Sequence, residues 1–502
     1  MKSLRRGVFG VGAVALGFAT FGWSPSVHAA GFATQRFGGE QGGVLATNPT
    51  SVYYNPGAMG FTGNGALGVY GSAAFRNITW QHQATVAPGA SPDSQIGNSG
   101  EAHAFNVFGG PAIGGLVRFG NLVIGGGFFA PFYGRVHWDK NNDLTAAQKA
   151  KYPLAADGVA RWFDIDTELS ILYFSAGAAY RLGPVSIGAV GNVIYSRLTN
   201  TNAKNPTGLG QVDTTLEGRT NLNVDGWNGS FAVGAMVEAV PDQFWIAGSY
   251  QAQPALGDQV LSGKLDVTTS LAGTLHDKVT FTQDLPDVYR AGLRYRPKKT
   301  PFEFRVFGDY TRWSVMLSQC ITLVNTPCVV QTNGANLPPP APAAVQNNLR
   351  ANWNDSWGVR GGVSYWVKPD IETFIGGGYE TAAIPDATLT PLAMDANNIS
   401  GALGVRLKIS DMMFMSLSWT HIQYLDRDTT GKGTLAAVNG QAVQTPTLQE
   451  DNGGIYKQWV GVFDGALEQT LTIEMEGASF ITLYSRPAAL KIATEVRQAS
   501  KL

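Results

Sequence analysis

Phe302-Glu303-Phe304-Arg305-Val306-Phe307-Gly308-Asp309-Tyr310-Thr311-Arg312-Trp313 is the stretch on which the fold turns. Phe302, Phe304, Val306 and Tyr310 fall on one side of a two-residue period, and Glu303, Arg305, Asp309 and Thr311 on the other. An extended strand with one apolar and one polar face produces this alternation. The chain enters the stretch through four residues, Pro297-Lys298-Lys299-Thr300, and leaves it through the long polar run Ser314–Ala351.

Both features recur. Val185, Ile187, Ala189, Val193 and Tyr195 oppose Ser186, Asn192 and Ser196, while Ile399, Leu403, Val405 and Leu407 oppose Asn398, Ser400, Arg406 and Lys408. Short connections at Gly120-Asn121, Gly183-Pro184, Pro241-Asp242, Lys368-Pro369-Asp370 and Ser410-Asp411 alternate with long polar ones. The long ones are Gln81–Glu101, Asp139–Arg161, Asn200–Asp225, part of Gln251–Lys278, Ser314–Ala351, Ala382–Ala396 and Asp426–Asp451. A soluble β-sandwich alternates apolar and polar residues too, but has no reason to sort its loops by length. A membrane barrel has one, with tight turns on the periplasmic side and long loops at the cell surface. The pattern predicts about 14 antiparallel strands, an even number as in single-chain outer-membrane barrels. Closure is required because an open strand edge in hydrocarbon leaves N–H and C=O groups unpaired.

Composition agrees. Only 15% of residues are charged, 62 are Gly, and there are 25 Phe, 17 Tyr and 12 Trp. Mean hydropathy is −0.04, as expected when lipid-facing and lumen-facing residues alternate. A net charge of −1 gives no electrostatic case for nucleic acid.

Lys2, Arg5 and Arg6 precede the apolar run Gly7–Thr20, and Val27-His28-Ala29 has the small-residue pattern of a cleavage site. Residues 1–29 therefore read as a signal peptide, with a mature start at Ala30-Gly31-Phe32. Residues 30–65 precede the first strand, Ala66–Trp80, and a plug folded into the lumen is their natural use, the alternative being a periplasmic tail. The barrel is expected over 66–484, with either Ile455–Phe463 or Leu471–Tyr484 as its last strand, and 485–502 as a tail.

Cys320 and Cys328 sit in a Pro/Asn-rich segment of an exported chain, where a loop disulfide is the expected use. A zinc site would need nearby His partners, and none lies there, so no metal and no cofactor is expected. Beyond the signal peptide the histidines are His82, His103, His137, His276 and His421. No Gly-x-Ser-x-Gly, His-Glu-x-x-His or phosphate-loop motif occurs, which argues against an enzyme.

Several segments resemble the FadL/TodX family of outer-membrane transporters for long-chain fatty acids and aromatic hydrocarbons. Ala30-Gly31-Phe32 and Tyr54-Asn55-Pro56-Gly57 look like that family's N-terminal hatch and its Asn-Pro-Ala motif, with Gly57 as a small-for-small change expected to be tolerated. Phe128-Phe129-Ala130-Pro131-Phe132-Tyr133-Gly134 is similar to its third strand. Leu285-Pro286-Asp287-Val288 with Ala291–Tyr295, Asp309–Ser314, and Ala383–Pro391 with Asp395-Ala396-Asn397 follow in family order. The chain ends Ala499-Ser500-Lys501-Leu502, where barrels of this kind usually carry the terminal aromatic read by the assembly machinery.

The resemblance implies a 14-stranded barrel with a hatch, passive uptake of a hydrophobic small molecule, and lateral exit into the membrane. Outer-membrane lipid, lipopolysaccharide and the barrel assembly machinery are its expected partners. A wall exit needs a strand that breaks its own ladder, and Leu122–Trp138 is the candidate. Gly125, Gly126 and Gly127 allow a bulge and Pro131, before Phe132, cannot donate to the ladder. Relief of crowding against a plug would also explain the glycines. By parity Arg290, Arg294, Arg305 and Arg360 face the lumen, where a guanidinium can grip a carboxylate head group. Glu303, Asp309 and Glu372 face inward too, and pairing with them is the commoner fate of such an arginine. Trp138, Trp357 and Trp419 are expected in an aromatic girdle or in lumen packing. A polar-solute porin is the main rival reading, and a lipid-modifying barrel enzyme the lesser one.

Overall fold

The computed structural model describes residues 42–84, 91–204, 213–269, 273–326, 345–433 and 451–471. The signal peptide, Phe32 and the alternative last strand beyond Leu471 lie outside these.

The strands in chain order begin with β1 (Gly65–His82), β2 (Gly100–Phe119), β3 (Leu122–His137), β4 (Asp166–Leu182), β5 (Val185–Lys204), β6 (Gly218–Val240) and β7 (Phe244–Gln251). Next come β8 (Asp258–Thr269), β9 (Gly273–Asp284), β10 (Val288–Tyr295), β11 (Phe302–Thr311), β12 (Ser318–Leu323) and β13 (Val345–Arg350). The last are β14 (Ser356–Lys368), β15 (Ile371–Glu380), β16 (Asn398–Ser410), β17 (Met413–Tyr424), β18 (Arg427–Asp428) and β19 (Ile455–Thr470). Fourteen of them form a closed antiparallel ring. β1 to β7 pair in succession, β7 pairs with β10, β11 with β14, and β17 with β19. β19 returns to β1, from Ala66↔Thr470 to Gln81↔Ile455, so Ile455–Thr470 is the closing strand.

The tight turns all lie at one end of this ring. Gly120, Gly183, Asp242 and Lys299 each hold a positive φ in them, between 58° and 63°, as close-coupled hairpins require. The opposite end carries the long connections, and here the sequence reading needs correction. Asn200–Asp225, read as loop, is strand at both ends: β5 runs to Lys204 and β6 begins at Gly218. Above the barrel rim Arg219–Asp225 of β6 keep β5 on one side and take β8 on the other, which pairs with β9, then β12, then β13. This sheet stands on the barrel wall as a blade. A side-chain amide ladder ties its base: Gln319 donates to Gln283 (3.0 Å), Gln283 to Gln259 (2.9 Å) and Gln259 to Ser196 (3.0 Å). Leu222, Val224, Leu261, Leu265, Val279, Phe281 and Ile321 form the blade's buried apolar face.

Strand parity in the ring is as expected. Phe302, Phe304, Val306 and Tyr310 are exposed on the outer wall, while Glu303 is 2% exposed within. An outward aromatic row runs Phe231–Tyr250–Tyr289–Tyr310, with ring centroids 6.0, 4.9 and 6.3 Å apart. A second row near the tight turns includes Phe244–Tyr295 and Phe302–Tyr365. Tyr310 and Phe302 are about 27 Å apart along their strand at ~3.4 Å per residue. That suits an apolar band about 25 Å tall between girdles. Trp357 and Trp419 face outward, at 47% and 37% exposure, whereas Trp138 is buried at 1%. No helix among the described residues is long and apolar enough to cross a membrane. The apolar surface of the molecule is instead carried by the outward faces of the strands.

Candidate functional site

Residues 42–64 run across the inward faces of strands around the ring. Asn55, fully buried, organises the segment: its Oδ1 accepts from Gly57 N–H (3.0 Å), and its Nδ2 donates to Val44 O (2.9 Å) and to Ala235 O (3.2 Å) on β6. Ser249 Oγ on β7 donates to Tyr54 O at 2.7 Å. Arg118 on β2 donates to the carbonyls of Gly60, Thr62 and Gly63. The approach of chain to wall is close. A Cβ at Gly57 would stand 2.5 Å from Ala235 Cα, and one at Gly188 would stand 2.5 Å from Pro56 O. Gly57 therefore sits where the wall of β6 leaves no room for a side chain.

The glycines of β3 divide by face. Cβ atoms at Gly125 would meet Leu116 at 2.6 Å, Met59 at 2.9 Å and Val52 at 3.0 Å, so this position relieves crowding against the segment inside. Gly125, Gly126 and Gly127 sit in regular register with Leu116, Gly115 and Gly114, so they make no bulge. The irregularity lies further along. β2 and β3 pair only from Phe119↔Leu122 to Ala112↔Phe129. The rest of β2, Gly100–Pro111, pairs with β1, and Phe132–His137 pair with β4 after a register shift between Phe129 and Phe132. Ala130 and Pro131 fall in that shift. The strands meet again where Asn106 Oδ1 accepts from His137 N–H at 3.0 Å. Between Pro111/Ala130 and Asn106/His137 β2 and β3 are out of the regular register that runs from Phe119↔Leu122 to Ala112↔Phe129.

Of the four inward arginines, three are engaged by acids. Arg305 and Arg294 share the Glu303 carboxylate, Arg294 at 3.4 Å, and Arg360 contacts Asp309 at 2.7 Å. Arg290 has no ion pair among the described residues, and its Nη1 is buried without a hydrogen-bond partner. Its guanidinium lies 5.4 Å from the Tyr53 ring and 5.8 Å from the Tyr54 ring. Tyr53 packs on Phe129 (5.6 Å) and Tyr173 (5.9 Å), and Gln251 Oε1 is, like Arg290 Nη1, among the buried atoms without a hydrogen-bond partner. A cavity of about 20 Å³ beside Arg290, Asp309 and Arg360 holds no more than one water. Tyr53, Tyr173 and Gln251 escaped the sequence reading. Parity on β4 and β7 could have placed the last two in the lumen, but nothing local links them to Tyr53.

One apolar cluster joins this region to the loop end. It includes Tyr53, Phe129, Tyr173, Val136, Trp138 and Trp80, then Trp313, Trp353, Leu389 and Met394 of the connections. A buried cation holds the connections on one side. Arg161, 0% exposed, donates through Nε to both Glu217 oxygens (3.0 Å) and through Nη2 to Asn98 Oδ1 (2.7 Å). Through Nη1 it donates to the carbonyls of Gly158 and Gly97. Three connections are thereby stitched at one guanidinium, whose pKa burial pushes down despite the Glu217 carboxylate. On the other side Asp395 accepts from Ala383 and Ile384 N–H, and burial raises its pKa to about 6.

His103 faces the outer wall, its ring nitrogens engaged by Asp139 (2.7 Å) and Asn77 (2.8 Å), which leaves no nitrogen to activate a serine. Cys320 is buried and no described cysteine is free; its expected partner, Cys328, lies outside the described residues.

No protein-family profile and no curated protein sequence matches the chain. Solved structures do. A Pseudomonas aeruginosa FadL homologue matches at 14% identity and TM-score 0.67, covering 89% of this chain and 98% of its own. The Ralstonia pickettii toluene transporter TbuX matches at 16% identity and TM-score 0.57 (88% and 98%). The P. putida toluene transporter TodX matches at 12% and 0.56 (87% and 97%). At such identities the likeness is one of fold.

Proposed function

We propose that this chain, sharing the barrel of the FadL homologue and of the toluene transporters, carries small hydrophobic molecules passively across an outer membrane. Residues 42–64 act as the hatch that keeps water and polar solutes from passing. The ligand enters among the apolar loop residues, follows the cluster through Trp138 and Phe129, and leaves sideways between β2 and β3. Leaving water drives the first step, at roughly 25 cal/mol per Å² of apolar surface. Lipid and lipopolysaccharide surround the girdles, and the barrel assembly machinery inserts the chain.

The observation that carries this reading is the break in regular register between β2 and β3 beyond Ala112↔Phe129, with Pro131 inside it. A continuous ladder there would close the wall, because every ladder bond resists a passing molecule. Pro131 has no N–H, and Pro131→Val supplies one. One added ladder bond contributes about 1 kcal/mol, so uptake of oleate and toluene should slow about fivefold. Heat-modifiable migration of the barrel should be unchanged. Gly126→Val, in the regular part of the ladder, should leave uptake as it was. Wild-type uptake by Pro131→Val would remove the lateral route.

Arg290 is the head-group residue of choice, since the other three inward arginines already have acids. Charge-assisted hydrogen bonds contribute about 1.5–3 kcal/mol. Arg290→Met should weaken oleate binding about tenfold or more and leave toluene binding unchanged. Equal loss for both probes would mean that Arg290 only packs the lumen.

A further inference from the structure

The tight-turn end of the barrel is unevenly charged. The turn between β10 and β11 reads Arg296-Pro297-Lys298-Lys299-Thr300-Pro301, and that between β14 and β15 reads Val367-Lys368-Pro369-Asp370. β11 and β14 are neighbours, with Phe302 opposite Tyr365, and Trp366 N–H donates to Pro301 O at 2.9 Å, so the two turns lie side by side. Arg296, Lys298, Lys299 and Lys368 are all exposed and make no ion pair among the described residues. The Arg296 guanidinium lies 4.2 Å from the Trp366 ring, which holds it at the wall. Two acids stand nearby. Asp370 reaches Lys408 at 3.9 Å, and Asp242 belongs to the turn whose Gln243 O accepts from Arg296 N–H. The arc stays positive. Elsewhere on this rim the charges are spent: Arg181 pairs with Glu238 at 2.8 Å, and Arg118 is bonded to carbonyls of the inner segment.

Depth decides what this arc can meet. Directly beneath it the exposed rings of Tyr295, Phe302 and Tyr365 mark the edge of the hydrocarbon. The cations therefore stand at the level of lipid phosphates. With the tight turns periplasmic, as the proposed function requires, they meet the phospholipid leaflet. We propose that the β10–β11 and β14–β15 turns bind the phosphate of an anionic phospholipid, whose acyl chains lie along the aromatic row beneath. Each Lys or Arg near an anionic surface is worth about fivefold in binding, and Lys ammonium groups act there as flexible point charges.

The test uses the full-length protein in detergent, with native mass spectrometry of bound dioleoyl phosphatidylglycerol or dioleoyl phosphatidylcholine. Phosphatidylglycerol should bind at least about tenfold more tightly, and raised salt should erase the difference. Lys298→Gln/Lys299→Gln/Lys368→Gln should lose that preference without changing phosphatidylcholine binding. Lys149→Gln/Lys264→Gln, at the opposite end, should keep it. Equal binding of the two lipids overturns the proposal, as does a preference that survives the triple substitution; an acidic protein partner would give the first of these results. No transport is measured, so failure here leaves the uptake reading standing, and loss of the uptake reading leaves the lipid preference to be judged alone.

Discussion

Liposomes carrying Gly57→Ala protein should swell in isosmotic arabinose about 10- to 100-fold faster than those carrying the wild type, which should swell hardly at all. The added methyl has nowhere to go. Ala235 Cα at 2.5 Å, Ala235 N at 2.6 Å and Gly234 O at 2.6 Å are all backbone of the barrel wall. Overpacking costs about 1–3 kcal/mol even where side chains can yield, and 1.4 kcal/mol is a tenfold change in population. The segment should lift from β6 and open a water path. Asn55→Ala reaches the same end without a clash, by deleting the bonds to Val44, Gly57 and Ala235. Swelling by the wild type would mark a polar-solute porin, and unchanged swelling in both variants would mean that residues 42–64 do not seal the lumen.

Arg161→Met should produce the largest loss of stability at the long-connection end. It removes one member of a buried ion pair and leaves Glu217, 1% exposed at its side chain, without that partner. Breaking such a pair costs about 3–5 kcal/mol. Amide exchange in residues 91–99 and 213–219 should accelerate at least about a hundredfold, with the ring strands unaffected. Arg161→Met/Glu217→Leu should recover part of the loss, because it also removes the buried carboxylate that Arg219 alone, at 2.6 Å, would be left to neutralise. Unchanged exchange in the single variant would show that the three connections are held by something other than this guanidinium.

How much of this could be read from the sequence depended on where lipid imposes its pattern. On β11, β5 and β16 the outward residues must be apolar and the inward ones need not be, so a two-residue period survives and parity is legible. Above the rim water bathes the outer face. Asn221, Asn223 and Asp225 are exposed there, and the polar stretch 200–225 therefore reads as loop although both its ends, 200–204 and 218–225, are strand. The β3 irregularity is expected from the glycines, which permit a bulge, together with Pro131. The structure puts it at Ala130-Pro131, where proline forbids the ladder bond, and uses Gly125 for clearance from Met59. The fates of the four arginines depended on partners from neighbouring strands, so only their common face was legible. Arg161 carried no signal, since it sits in an aperiodic connection and its partners lie far away in sequence.

The ladder that joins β19 to β1 pairs residues almost 400 positions apart. Drawing the ends of a flexible segment that long together costs on the order of 5 kcal/mol in chain entropy before any hydrogen bond repays it. Local hairpins can zip within microseconds, so this seam should form last and slowly. Until it does, β1 and β19 are two bare edges able to pair with the wrong chain. Substitutions along the seam should therefore appear first as delayed insertion and lost yield, while the finished protein melts much as before.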